Sequence, residues 1–357
     1  PASWRFLPMD MKRDYYEDVQ FFTSGAIAFW LGILIIGLAL FPFVAKNYYV
    51  YVANYMAINV IVVIGLNLLV GYTGQISMGH AGFFAIGAYG TVALMTHAHF
   101  PFLLALPTAG LIAAAFGFLL GLPALRLEGP YLAIATLGFG ITITQIIGKI
   151  KILGERQGLH APELTIGPWH LSTDKDFYFL LIPITFLLAV LARNLVHTKV
   201  GRAFIAIRDA DIAAETMGIN LTLYKTLAFA VSAFYAGVGG GLYAFVLRFI
   251  EPELFSLFMS VMFLTLAVVG GLGSMMGPVA GACLLGFLDL QLRNVLEIPY
   301  IGQWIKALSE SWFTLTGVSN IQMIVFGSIL IAIMLFEPLG IYGIWIRTKK
   351  YWKMWPY

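Results

Sequence analysis

NLLVGYTGQISMGHAGFFAIGAYG, residues 67–90, sets Asn67, Gln75, Ser77 and His80, together with six glycines, inside a stretch otherwise fit for lipid. Polar side chains at membrane depth are costly unless they face protein or water. Gly71 and Gly74, flanking Tyr72 and Thr73, can open a short non-helical turn whose backbone groups become available to a polar solute. On that reading Asn67, Gly71, Gly74, Gln75, Ser77 and His80 line a route through the membrane. The competing reading is a tight helix crossing that holds a hydrogen-bonded His80.

The rest of the chain is consistent with a lipid environment. Of its 357 residues 60% are hydrophobic and 11% charged, against roughly 45–50% apolar and about 25% charged in soluble domains. A water-soluble protein of this composition would expose large apolar patches everywhere. Ten apolar segments recur, most of them of the length needed to span lipid, near 26–44, 52–71, 76–97, 102–121, 130–148, 177–195, 226–246, 257–270, 277–290 and 319–337. The expected fold is an all-α polytopic membrane protein of about ten transmembrane segments. Those at 76–97 and 257–290 are dense in glycine and are expected to break, re-enter or span short.

Charge sets the orientation. Lys199, Arg202, Arg208 and Lys225 flank the loop 196–225, and Arg347, Lys349, Lys350 and Lys353 lie in the tail, so both are expected in the cytoplasm. Counting back through six spans brings the N-terminus, with Lys12 and Arg13, to the same side. An even number of spans follows, and eight would serve if one glycine-rich pair did not cross. The expected division is a cytoplasmic arm at 1–24, a transmembrane domain at 25–340 with a cytoplasmic loop at 196–225, and a cytoplasmic tail at 341–357.

Several function classes are excluded by what is missing. There is no GxxxxGK[ST] loop, so the chain is not its own conventional ATPase, and neither HExxH, GxSxG nor CxxC occurs. The single cysteine, Cys283, precludes an intrachain disulfide, and the net charge of +3 is scattered among loops rather than gathered into a nucleic-acid-binding patch. GVGGGLYA at 237–244 lacks the full dinucleotide pattern and reads as close helix packing.

A second polar stripe lies in ATLGFGITITQIIG, residues 135–148, where a helix would gather Thr136, Gly140, Thr142, Thr144 and Gln145 on one broad face. Hydroxyls can bond back to their own helix, whereas the Gln145 amide cannot be satisfied that way, so Gln145 and Thr142 join the route candidates. Neither stripe holds a carboxylate, and Asp289, which Arg293 could pair, is the only obvious acidic residue at membrane depth. Energy is therefore expected from outside the membrane rather than from a coupled ion. GRAFIAIRDADIAAETMGINLTLYK, residues 201–225, supplies a contact: Asp209 or Asp211 caps a short helix, Ala213 and Ala214 favour it, and Gly218 ends it. Arg208, Asp211 and Glu215 form its exposed side and Phe204, Ile207 and Ile212 its apolar side, a form suited to docking into a soluble protein.

The segments at 65–89, GLPALRLEGPYLAIATLGFG at 121–140, 201–220, and VVGGLGSMMGPVAGA at 268–282 resemble LivM-type permease subunits of branched-chain amino acid ABC importers, in the same order. The likeness covers residues 45–340 and the tail FEPLGIYGIWIRTKKYWKMWP. It implies a multi-pass protein of the bacterial inner membrane that binds no cofactor itself. The implied partners are a homologous LivH-type permease, two cytoplasmic ATPase subunits carrying ATP and Mg, a periplasmic solute-binding protein and membrane lipid. By the same likeness Ala213, Ala214, Glu215 and Gly218 correspond to the loop that docks on the ATPases. Where family members commonly read TGG-x-NG, this chain has GERQGLH at 154–160, and YYEDVQFF at 15–22 resembles an N-terminally extended subset. Both features leave the solute open among branched-chain amino acids, amides, urea and aromatic acids.

Overall fold

The computed structural model describes residues 25–124, 127, 129–166, 169–295, 318–337 and 339–354. The arm at 1–24 lies outside them, as does the side chain of Arg293. Each of the ten apolar segments falls on a helix: α1 (Gly25–Val44), α2 (Asn47–Thr73), α3 (His80–Thr96), α4 (Phe102–Ala124), α5 (Pro130–Ile147), α6 (Asp174–His197), α8 (Leu221–Leu247), α9 (Leu257–Gly270), α10 (Met276–Val295) and α11 (Val318–Phe336). The loop between α6 and α8 carries α7 (Lys199–Thr216), and the tail forms α12 (Gly340–Met354). Residues 1–46, which include α1, make one compact unit, and 47–357 make another.

The chain is an all-α polytopic protein. Among the described residues six helices are long and apolar enough to cross a membrane, and a seventh is added if α11 and α12, bent by 40° at their junction, form one span. α3 has only 17 residues because the first part of its apolar segment is not helical. α10 is the shorter apolar helix Met276–Gln291 by the same measure.

Burial separates interior helices from peripheral ones. The most apolar window of α2 is 94% buried within the protein and that of α8 78%, while those of α4 and α5 reach 33% and that of α6 17%. A helix apolar on every side is a core helix, and α2 is enclosed by α6, α8, α9 and α10. The peripheral helices carry Leu103, Leu104, Leu111 and Leu119 exposed on α4 and Phe186, Leu187 and Leu191 exposed on α6, a surface that lipid satisfies and water does not.

α8 is held against α2, α3 and α4 by the absence of side chains in GVGGG. A Cβ on Gly237 would sit 2.6 Å from the Ala113 Cβ of α4, one on Gly241 would sit 2.7 Å from Leu106 Cδ1, and one on Gly240 would overlap the Phe84 carbonyl oxygen of α3. Close backbone approach of this kind lets dispersion hold helices together where lipid offers no hydrophobic drive.

The connections are capped and stitched. Thr173 and Asp176 form a capping box at the start of α6. Asn220, which heads an Asn-Leu-Thr triplet, accepts the Leu223 amide at 3.0 Å as the N-cap of α8. The segment between α5 and α6 pairs β1 (Leu159–His160) antiparallel with β4 (Phe249–Ile250) of the α8–α9 connection. β2 (Leu164–Ile166) and β3 (Trp169–Leu171) form a local antiparallel pair. Arg248 ties the two connections further by donating to the Ser172 carbonyl at 2.6 Å.

Gly240→Ala is expected to lower unfolding stability by about 1–3 kcal/mol, because the new methyl meets backbone that cannot yield. Gly138→Ala, on α5 with nothing within 4 Å, is expected to be neutral or to stabilise by up to about 1 kcal/mol. Thermal unfolding of the two variants in detergent checks the contrast.

Candidate functional site

Six residues, 74–79, separate α2 from α3, and they are neither helix nor strand. Gly74 ends α2 with φ +71°, a conformation that costs an ordinary residue about 1–2 kcal/mol. Side chains then alternate as in extended chain: Gln75 and Ser77 are buried, while Ile76 is 38% exposed and Met78 half-buried. Glycine reappears at 79 because a Cβ there would overlap the Thr136 carbonyl oxygen, and at 82 because a Cβ would lie 2.9 Å from Gly140 Cα. The start of α3 is thus pressed against α5.

A helix interrupted at membrane depth strands backbone groups that need partners. The Gln75 amide donates to the Leu69 carbonyl at 3.2 Å, the Met78 amide to Thr136 Oγ1 at 3.0 Å, and the Ala81 amide to Ser260 Oγ of α9 at 2.9 Å. Arg208 of α7 donates from Nη1 to the Gly71 carbonyl at 3.0 Å. That carbonyl is one of those left open at the C-terminal end of α2, where the helix dipole also favours a cation.

His80 is fully buried. Its Nδ1 is 3.0 Å from Ser77 Oγ and its Nε2 is 2.7 Å from Ser232 Oγ of α8, so both ring nitrogens have hydroxyl partners. Asn67 is buried too: its Nδ2 donates to the Ser274 carbonyl at 2.8 Å and its Oδ1 accepts the Gly273 amide at 2.9 Å. One side chain therefore joins the 65–89 segment to the 268–282 segment, two motifs about 200 residues apart that sequence reading could only set side by side. Asp289 is fully buried in α10, and the Tyr55 hydroxyl donates to it at 3.4 Å.

Two grooves meet this segment. One of about 380 Å³ lies among α3, α5, α9 and the turn Pro252–Leu254, with Met78, Gly140, Thr144, Gln145, Arg156 and Ser260 in its wall. The other, of about 280 Å³, is lined by Gly74, Gln75, Arg208, Asp209, Asp211 and Lys225. The beginning of the unwound segment contributes to one and its end to the other. Gln75 Oε1 is buried with no hydrogen-bond partner among the described residues.

The structure therefore brings Gln75 and Gln145 to grooves, together with Gly74, and turns Asn67, Ser77 and His80 into protein. Gly71 faces Asn67 and the 273 backbone. Thr142 is exposed on α5 away from the groove wall, and Thr144 lies in that wall with its hydroxyl returned to the Ile141 carbonyl at 2.8 Å. Met78, Arg156, Glu253 and Ser260 were not among the sequence candidates. Ser260 and Ser232 carried the same signal as the 67–90 segment, a polar group in an apolar helix, and Arg156 lies in the divergent GERQGLH stretch.

α7 is two helices. α7 packs on α2, α6 and α8, and Ala210, extended with φ −164° and ψ 96°, divides its proximal half from a short distal half. Phe204 and Ile207 are buried in the proximal half, as expected. Ile212 is instead 77% exposed and Ala214 buried, because the kink rotates the distal half so that alanine meets the protein. The Ile212 amide donates to Asp211 Oδ1 at 2.8 Å, and Lys225 Nζ approaches Asp211 Oδ2 at 3.6 Å. Ala213, Glu215 and Met217 are exposed, and Gly218 closes the turn with φ +86°.

Residues 48–334 match the family described as branched-chain amino acid transport system / permease component. The chain is 32% identical over 339 residues to the high-affinity branched-chain amino acid transport system permease protein LivM of Salmonella typhimurium, which covers 88% of this chain and 74% of that relative. It is 24% identical over 303 residues to the LivH permease of the same organism, covering 79% and 90%. It is 28% identical over 274 residues to the ribose import permease protein RbsC of Haemophilus influenzae, covering 71% and 79%. No solved structure matches the chain.

The His80–Ser232 contact gives a direct test of packing at the break. His80→Ala and Ser232→Ala are each expected to cost about 1–3 kcal/mol, since each leaves a buried polar partner unmet. The double variant is expected to cost less than their sum by at least about 0.5 kcal/mol. Thermal unfolding of the four proteins in one detergent measures that coupling.

Proposed function

This chain belongs to the branched-chain amino acid transport system permease family, and from that membership we propose that it is the membrane-spanning subunit of an ATP-driven solute importer. It is a transport subunit and not an enzyme. In the proposed complex it forms the translocation route with a second, LivH-like permease in the bacterial inner membrane, and its own likeness to both LivM and LivH supports a pair of homologous permeases. Two cytoplasmic ATPases bearing ATP and Mg drive the cycle, and a periplasmic binding protein delivers the solute. The proposed solute class is branched-chain or related amino acids. Likeness to a ribose permease fits a scaffold whose solute is chosen largely elsewhere, which keeps amides, urea and aromatic acids as the alternatives for the uptake assay.

Ten spans with both termini in the cytoplasm complete the proposal. That orientation puts the groove beside Arg156 and Glu253 toward the periplasm and the groove beside Arg208 and Lys225 toward the cytoplasm. Gly74, Gln75 and Gln145 then line the route, with the buried Asn67, Gly71, Ser77 and His80 fixing the broken segment that borders it. The observation that carries the coupling assignment is the distal half of α7. Ile212 at 77% and Met217 at 83% exposure stand beside Glu215 on a short helix that cannot hold itself in water alone. An exposed apolar knob with a charged neighbour is the anatomy of a docking element.

Gly218→Val and Glu215→Lys are expected to leave the chain in the membrane and to weaken ATPase retention about tenfold or more, or to separate hydrolysis from transport. Purification of the complex, binding-protein-stimulated hydrolysis and vesicle uptake are measured together. Wild-type values in all three for both variants would remove the coupling role from this loop.

A further inference from the structure

Arg208 stands where three elements of the proposed mechanism touch. It lies two residues before the extended Ala210 that divides α7, so its backbone belongs to the membrane-packed half and borders the exposed half. Its Nη1 donates to the Gly71 carbonyl at 3.0 Å, three residues before the break at Gly74. Its Nε and Nη2 hold Asp209 Oδ1 at 3.0 and 2.9 Å. A Cβ on Gly74 would lie 3.3 Å from its Cγ, and one on Gly273 would lie 2.9 Å from its Nη1, so glycine leaves room for the stem at 74 and for the guanidinium at 273.

We infer that Arg208 is a positioning residue that ties the coupling helix to the α2–α3 break, transmitting movement of the distal half of α7 to residues 74–79 rather than binding the ATPases itself. Three observations carry this. The guanidinium takes the Gly71 carbonyl at the end of α2, while the Gln75 amide of the unwound segment bonds the Leu69 carbonyl instead. A planar fork can hold Gly71 and Asp209 at once, which the single point charge of lysine does less well. The 271–274 turn is bound to the same end of α2 through Asn67, so a shift of Arg208 is felt by both glycine-rich motifs. The inference rests on the importer reading for its consequence and on geometry alone for the tether.

The test has two arms. In the purified chain, amide hydrogen exchange across 70–79 is compared for wild type, Arg208→Gln, Arg208→Lys and the exposed control Glu215→Gln. The tether predicts exchange faster by about tenfold or more in Arg208→Gln, a smaller increase in Arg208→Lys, and none in the control. Unchanged exchange in Arg208→Gln overturns the tether whatever the chain transports. In the reconstituted complex, Arg208→Gln is expected to keep its ATPase subunits and stimulated hydrolysis while solute moved per ATP falls about tenfold, with a smaller fall in Arg208→Lys. Loss of the ATPase subunits in proportion to uptake would make Arg208 a docking residue and overturn the inference. A wild-type complex that neither holds ATPases nor transports would instead overturn the importer reading, leaving the exchange result to judge the tether.

Discussion

A helix broken inside an apolar layer must find partners for every backbone group it releases, and the arrangement around 74–79 follows from that requirement. Gly74 makes the turn, Thr136 and Ser260 accept the amides of Met78 and Ala81, and Arg208 donates to the Gly71 carbonyl. Those partners come from α5, α9 and α7. The break therefore fixes which helices surround it, and it can exist only while they do.

The same economy explains the glycines. Gly79 and Gly82 let α3 lie against α5, and the run Gly237–Gly241 lets α8 lie against α2, α3 and α4. Small residues in a lipid-facing chain are thus spent on approach, while Leu and Phe face outward on α4 and α6. The interior consequence is a nearly fully buried α2, whose far end is free to be non-helical because protein encloses it.

Much of this was legible in the sequence, and the exceptions have physical causes. Apolar length located the apolar helices among the described residues, and Gly218 ends the short helix of the α6–α8 loop as expected, whereas that helix begins at the Thr198 cap rather than at Asp209 or Asp211. The polar residues of 67–90 were visible as anomalies, but their direction was not. An extended segment alternates its side chains, and only the register of the break decides that Ile76 and Met78 face out while Ser77 faces in. Asn67 bonding the 273–274 turn and His80 reaching Ser232 are long-range pairings that no local pattern encodes. Ile212 parts from Phe204 and Ile207, with which its spacing groups it, because the kink at Ala210 resets the helical phase, and nothing in an alanine announces an extended backbone.

Tethered on one side by α7 and bordered by a groove at each end, the unwound segment is the element on which transport by this chain should turn. The most direct measurement replaces Cys283, places a single cysteine at Ile76 or Met78, and follows labelling by a membrane-impermeant thiol reagent in sealed vesicles containing the whole complex. Labelling rates that change when ATP is added and fall when solute is present are the predicted result. Rates that stay constant through ATP and solute addition while uptake proceeds would contradict the account, since the solute would then be crossing somewhere else.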